Sequence, residues 1–397
     1  MAKDNTFNLV FDKFYQGFAP LAFNNSLTEV GGGGHASVMT NVDVINGDYL
    51  TQGPALTSLI NGTQAGVVTE LINFIMDKAV SSDVTYGIGA SKLFKIGSTT
   101  VTTDATWPHT ITECKDGQSI QVLKGNLYAF FNKTTSGEIL KYDLGSSFDD
   151  DWGSTVPTGK VALQNALHPS DKKEDIILFG NGRYVGSYIA ETNTLNASKL
   201  DFGIDCAVAD VIYSAGYWYI AINAGVTGTN RTEGQVYLYD GSATVSTLAD
   251  ETGVGMQRIG FLYRVNGIIY VAFQDLTSPG YSIGYIVGSQ IKPLGKFTGS
   301  LPTFNQKTLY KNTILFISSG NVFSAGAVIE DLPYQVSQLA DGGLATVGAI
   351  ACPFGTPMIA SMLTSTPNSY KLAKFSGYDT SCSWKSIIIP VVGPNIK

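Results

Sequence analysis

An all-β chain built from a repeated multi-strand unit is what three observations predict. First, apolar and alternating runs of strand length, each closed by turn residues, recur from about Val67 onward. Second, only 14% of the 397 residues are charged, against roughly 25% in an average soluble domain. Glycine (44), Tyr (20) and Phe (20) are abundant while Lys and Glu are scarce, so most of the chain lacks the surface residues that amphipathic helices use. Third, the stretch SAGYWYIAINAGVTGTNRTEGQVYLYDG, Ser214 to Gly241, reads as one unit of the repeat. It supplies a strand over 217–223, a Gly/Thr/Asn loop, and a strand over 235–239. The pair Asp240-Gly241 then predicts a two-residue type I′ turn into a third strand over 243–248.

The first sixty residues differ from the rest. Phe7, Phe11, Phe14, Tyr15, Phe18 and Phe23 crowd a short stretch that is too aromatic for a solvated tail. Most of them share one face of a helix, which Gly17 and Pro20 keep short. Four glycines, Gly31 to Gly34, follow as a hinge. SVMTNVDVINGDYL then alternates and carries the hairpin signal Asn46-Gly47. The segment 1–60 is therefore read as an arm, a hinge and an extended piece, and 61–397 as the repeat domain. The six aromatics are the candidate interface; covering the repeat domain itself is the alternative for them.

The units show one strand anchor each, at Tyr86, Tyr128, Tyr184, Tyr219, Tyr270, Leu315 and Met358. Their mean spacing of about 45 residues matches a four-stranded propeller blade. A lone four-stranded sheet leaves both faces and both edges open, whereas radial stacking buries the faces. Faces buried on both sides need no polar alternation, which explains runs such as YVAF and TILFI. The expected architecture is a β-propeller, with seven blades of four antiparallel strands preceded by an extended N-terminal arm. The segments 48–60 and 383–392 are the candidates to close the ring, and a two-sheet sandwich is the rival fold.

Composition and motifs argue against several function classes. Net charge is −7 with no basic run longer than Lys172-Lys173, so a general grip on nucleic acid has no electrostatic basis. No apolar run approaches the roughly 18 residues of a membrane span, and MAKDNTFNLV is not a secretion signal. Cys114, Cys206, Cys352 and Cys382 form no metal spacing and read as small buried hydrophobes. His35, His109 and His168 sit in unrelated contexts, with no HExxH pattern among them. Asp149-Asp150-Asp151 lacks the spacing of a calcium loop and reads as a solvated turn. The G-x-S-x-G string at Gly280–Gly284 follows a Pro-Gly turn and leads into a strand, so Ser282 is not a nucleophile elbow. GIGASK, at Gly87, joins two strands and is no phosphate cradle. These readings predict no catalytic residue, no metal and no cofactor.

Two lines near the start carry a family resemblance: NLVFDKFYQGFAP, and GHASVMTNVDVINGDYLTQGPALTSL after it. With Phe11, Phe14, Tyr15 and Gly17, then Asn41, Val42, Asp43, Gly47 and Leu50, the chain resembles the propeller-containing virion proteins of tailed bacteriophages, found in tail nozzles, collars and head–tail parts. The resemblance covers the first sixty residues and the repeat architecture. It implies a structural, non-enzymatic subunit, made in the host cytoplasm, that joins a homo-oligomeric ring with other virion proteins. The alternatives are a propeller binding host-surface glycan and a glycoside-cleaving enzyme on the same fold. A carboxylate pair in the central channel would favour the enzyme.

Overall fold

The structure is a computed structural model. It describes residues 36–386, except 41, 44–50, 53, 62–63, 66, 102–107, 146, 226–232, 243–244, 250–255, 276–279, 298, 327–334, 342–345, 363–368 and 379–382. The candidate arm, Phe7 to Phe23, and the Gly31–Gly34 hinge lie outside the described residues.

The alternation within each blade's second strand decides how the blades stack. In Asn126–Asn132, the side chains of Leu127, Ala129 and Phe131 pack toward blade one, and those of Tyr128 and Phe130 toward blade three. The same period-2 division repeats around the molecule, so the described core comprises seven apolar clusters, one at each blade–blade interface. Full burial of one such Phe contributes roughly 2–3 kcal/mol, which is why these strands carry apolar residues on both faces.

The chain is a seven-bladed β-propeller. The inner strands, in order, are Ile72–Ile75, Asp116–Leu123, Ser170–Lys173, Cys206–Ser214, Met256–Val265, Lys307–Tyr310 and Thr346–Ala351. The strands of each blade follow one another outward from the inner strand in sequence order as antiparallel neighbours, and in blade one Ile60–Asn61 is added at the outer edge, parallel to Thr100–Val101. Blade seven draws its outer strand from the N-terminal side: Pro54–Ser58 pairs with Tyr370–Tyr378 (Phe375↔Leu56) and closes the ring. The closing strand thus lies within segment 1–60. The other candidate closer behaves differently, since Ser383–Ser386 pairs with Ala36–Thr40 in a separate two-stranded ribbon. The Val42–Asp43 pair of the resemblance motif joins Thr51–Gln52, bracketing Asn46-Gly47.

Two local expectations are corrected. Tyr239 pairs with Val245, so Asp240-Gly241 opens a five-residue connection and is not a two-residue turn. Only Gly241 of that pair has positive φ (+100°), and Asp240 Oδ1 accepts the Ser242 N–H at 2.7 Å, an Asx turn that a type I′ geometry does not use. Two-residue turns with positive φ at both positions occur instead after inner strands, at Lys124-Gly125, Ala215-Gly216, Asn266-Gly267 and Lys311-Asn312, and after one second strand, at Ser319-Gly320. The anchor Tyr184 falls on the third strand of its blade, Tyr184–Ile189, whereas the other six sit on second strands. That displacement produces the longest and shortest spacings on either side of it.

Candidate functional site

The inner strands line a central channel, and their antiparallel connections put all inner-strand C-termini on one face of the ring. The segment between Phe297 and Lys307 crosses this channel. Leu301 and Pro302 pass over Gly260, where a Cβ would come within 2.0 Å of the Pro302 carbonyl oxygen. Asn305 Nδ2 then donates to the carbonyls of Asn73 (2.7 Å) and Gly348 (2.8 Å), fastening the segment to blades one and seven. Phe304 is 7% exposed and sits 6.5 Å from the Phe74 ring. Phe304 and Asn305 line both a cavity of about 440 Å³ and a second of about 230 Å³, so this segment partitions the channel.

The larger cavity holds three aspartates that the sequence reading did not single out. Asp171 and Asp210 occupy inner strands of adjacent blades and do the same work. Asp171 accepts the Lys172 N–H on Oδ1 (2.8 Å) and, on Oδ2, the Tyr213 N–H of blade four (2.7 Å), with Arg264 3.5 Å away. Asp210 accepts the Val211 N–H on Oδ1 (2.9 Å) and, on Oδ2, the Leu262 N–H of blade five (2.7 Å) and the Lys307 ammonium. Each carboxylate therefore clasps its own blade to the next one and carries a cation. Burial raises the pKa of both, and the cations and N–H donors oppose the shift.

Asp77, just beyond the first inner strand, reaches across the channel. It accepts the Thr308 hydroxyl (2.6 Å), the Tyr263 hydroxyl (2.8 Å) and the Cys352 N–H (3.3 Å), touching blades five, six and seven. Its side chain opens on the cavity although protein surrounds it; the enclosure raises its pKa, and its hydrogen bonds and Lys307 pull it back. Chemically, all three carboxyl groups of the site accept hydrogen bonds from the protein on both oxygens, and Asp77 is the one that makes no ion pair at salt-bridge distance among the described residues.

A second repeated device does carry a sequence signal. Apolar second strands end in an amide: NLYAFFN, IILFGN, YWYIAIN. Asn132 bonds both the N–H (3.2 Å) and the carbonyl (2.9 Å) of Ala166, and Asn223 bonds both groups of Ile259 (2.7 and 2.9 Å). Asn181 accepts the Gln164 N–H (2.8 Å) and donates to the Ala197 carbonyl (2.9 Å). These side chains satisfy backbone groups that the gaps between sheets and their flanking connections leave unpaired.

The residues weighed in the sequence scatter. His168 is fully buried between blades two and three, with Nδ1 2.8 Å from the Gly180 carbonyl and Nε2 3.2 Å from Asn132 Oδ1. Burial pushes its pKa down to about 4. Between an unfolded value near 6.5 and about 4, the unfolded chain takes up a proton that the fold refuses. Stability therefore falls as pH falls through that window, by on the order of 3 kcal/mol from this group. The expected NMR result is a His168 imidazole that stays neutral down to about pH 5, and titration near 6.5 would contradict the assignment. His109 stacks on Phe148 at 4.8 Å, far along the blade, and His35 lies outside the described residues. Asp151 pairs with Lys133 at 2.6 Å, and the neighbouring Trp152 is 2% exposed, packed on Tyr128 and Tyr188. That loop is thus partly core. Ser282 is buried mid-strand in Tyr281–Val287. Cys114 is buried and its thiol is pushed up to about 12, while Cys382 lies outside the described residues. Among the described residues, no three His, Cys, Asp or Glu side chains group as metal ligands, and no helix is long and apolar enough to cross a membrane.

No family model and no curated protein sequence matches the chain. Solved structures similar to it are β-propellers. The WD40 β-propeller domain of Doa1 is 12% identical at a TM-score of 0.53, over 81% of this chain and 96% of that one. The WD40 domain of Neurospora crassa Pan2 is 10% identical at 0.52, over 83% and 98%. The extracellular domain described as part of a one component system of B. thetaiotaomicron is 9% identical at 0.53, and this match covers 81% of the chain but 39% of that structure. At these identities the likeness is one of fold alone.

Proposed function

We propose that the chain is a structural, non-catalytic subunit of a tailed-phage virion, in the tail or head–tail region, joining a homo-oligomeric ring with other virion proteins. The observation that carries this reading is where the ring closes. Its last strand is Pro54–Ser58, so the six aromatics between Phe7 and Phe23 lie upstream of the closure and are separated from it by four glycines. Six aromatics burying on the order of 150–250 Å² each would supply a substantial assembly contact. Deleting residues 1–30 tests the reading. The truncated chain is expected to keep its thermal midpoint within a few degrees and to fail to enter the particle. Unfolding or aggregation of the isolated truncated subunit would make the arm part of the core and remove the proposal's basis.

One observation favours a second reading, a glycoside-cleaving enzyme: Asp77 opens on the cavity beside Tyr263. Such enzymes need two carboxyl groups free to face the sugar. The clasps hold Asp171 and Asp210 by both oxygens, which supports the structural reading over this one. Screening the full chain against common glycosides is expected to give no turnover; turnover lost in Asp77→Asn would establish the enzyme.

A further inference from the structure

The larger cavity is blind. Phe304 and Phe74 form its floor, and its rim lies on the face carrying the C-terminal ends of the inner strands, where Lys78 and Lys172 stand. The charged groups around it do not cancel, because four cations meet three carboxylates. Arg264 and Lys307 are taken by the Asp171 and Asp210 clasps. Lys172 Nζ donates to the Val122 carbonyl, and Lys78 has no hydrogen bond or ion pair among the described residues. The two lysines are close enough that, after burial, the Lys78 charge further depresses the Lys172 pKa. Beside these charged groups the lining also offers apolar surface, from Ile120, Ile212 and Ile350 as well as the two phenylalanines.

We propose that this end of the channel binds a small organic oxyanion, its carboxylate or phosphate head between Lys78 and Lys172 and its apolar body against Phe304. A space of about 440 Å³ suits a compact ligand and falls within the size range of small-molecule sites. An oxyanion placed there gains charge-assisted bonds from two ammonium groups whose mutual repulsion it relieves. The apolar body accounts for selectivity over inorganic ions, since it alone can use the apolar part of the lining, Ile120, Ile212, Ile350 and Phe304. This inference is independent of the virion assignment.

The test is calorimetric titration of the full chain with hexanoate, phenyl phosphate, inorganic phosphate and hexylammonium. Saturable binding of hexanoate or phenyl phosphate at about millimolar affinity or tighter is expected, and the tighter of the two identifies the head group. Lys78→Gln is expected to weaken that binding about tenfold or more at an unchanged thermal midpoint, because Lys78 supports no other described contact. Lys172→Gln is the second variant. No saturation by about 10 mM would overturn the site. So would hexylammonium or inorganic phosphate binding as tightly as the organic anions, or unchanged affinity in both variants.

Discussion

Lys307→Met is expected to destabilise the propeller by about 3–5 kcal/mol, the usual cost of stripping one partner from a buried ion pair. Lys307 and Asp210 side chains are only 9% and 4% exposed, and the ammonium also donates to the Leu262 carbonyl at 2.5 Å. Without it, Asp210 must keep an unpaired charge in the channel wall or take up a proton. Because burial already raises the Asp210 pKa, the variant's deficit should shrink as pH falls and the carboxyl becomes neutral. The double variant Asp210→Asn/Lys307→Met should recover much of the loss, since no charge is then stranded. Chemical denaturation of the four proteins measures the coupling. A single variant within about 1 kcal/mol of the parent would show that the clasp does not hold blades four, five and six together.

Gly348→Ala is expected to cost about 3 kcal/mol, at the upper end of overpacking penalties. Gly348 lies in the inner strand of blade seven, and a Cβ there would stand 2.1 Å from the Ile72 carbonyl oxygen of blade one. The obstacle is backbone on a packed inner strand, so it cannot swing aside as a side chain would. The seam is also where the ring closes, and the Gly348 carbonyl receives the Asn305 amide that anchors the channel partition. Gly241 offers the internal contrast: its φ is positive but nothing lies within 4 Å of where a methyl group would stand, so its requirement is conformational and local. Thermal unfolding separates the cases. A midpoint for Gly348→Ala equal to that of the parent would mean that the inner strands tolerate a wider seam than this packing allows.

Much of the architecture was legible because propeller blades are local. A blade joins neighbours in sequence through short turns, so apolar second strands and turn residues announce each unit. Blade three was the exception. Its second strand, IILFGN, has no Tyr, and Tyr184 in the adjacent strand drew the anchor to itself. Of the equally Tyr-free second strands, TILFIS is followed by a strand without tyrosine, and MIASM reaches Tyr370 only across a longer connection. The Asp240-Gly241 turn misled for another local reason. An aspartate side chain can bond the second following N–H as readily as it can enter a left-handed turn, and the dipeptide does not distinguish the two.

The channel chemistry was not legible. Asp171 finds its partner N–H 42 residues away, Asp210 finds one 52 residues away and a cation 97 away, and Asp77 finds Thr308 at a separation of 231. No motif spacing encodes such pairs, because each depends on which inner strands the ring brings side by side. Composition and strand periodicity by themselves determined that this chain would be a ring of four-stranded sheets, since two-sided burial of strands leaves few other packings. Only the tertiary structure decided which aspartates face the axis, that Phe304 divides the channel, and that, of the two candidate segments, Pro54–Ser58 closes the ring. Those outcomes follow from contacts between residues far apart in the chain, whose free energy is realised only once the seven blades have met.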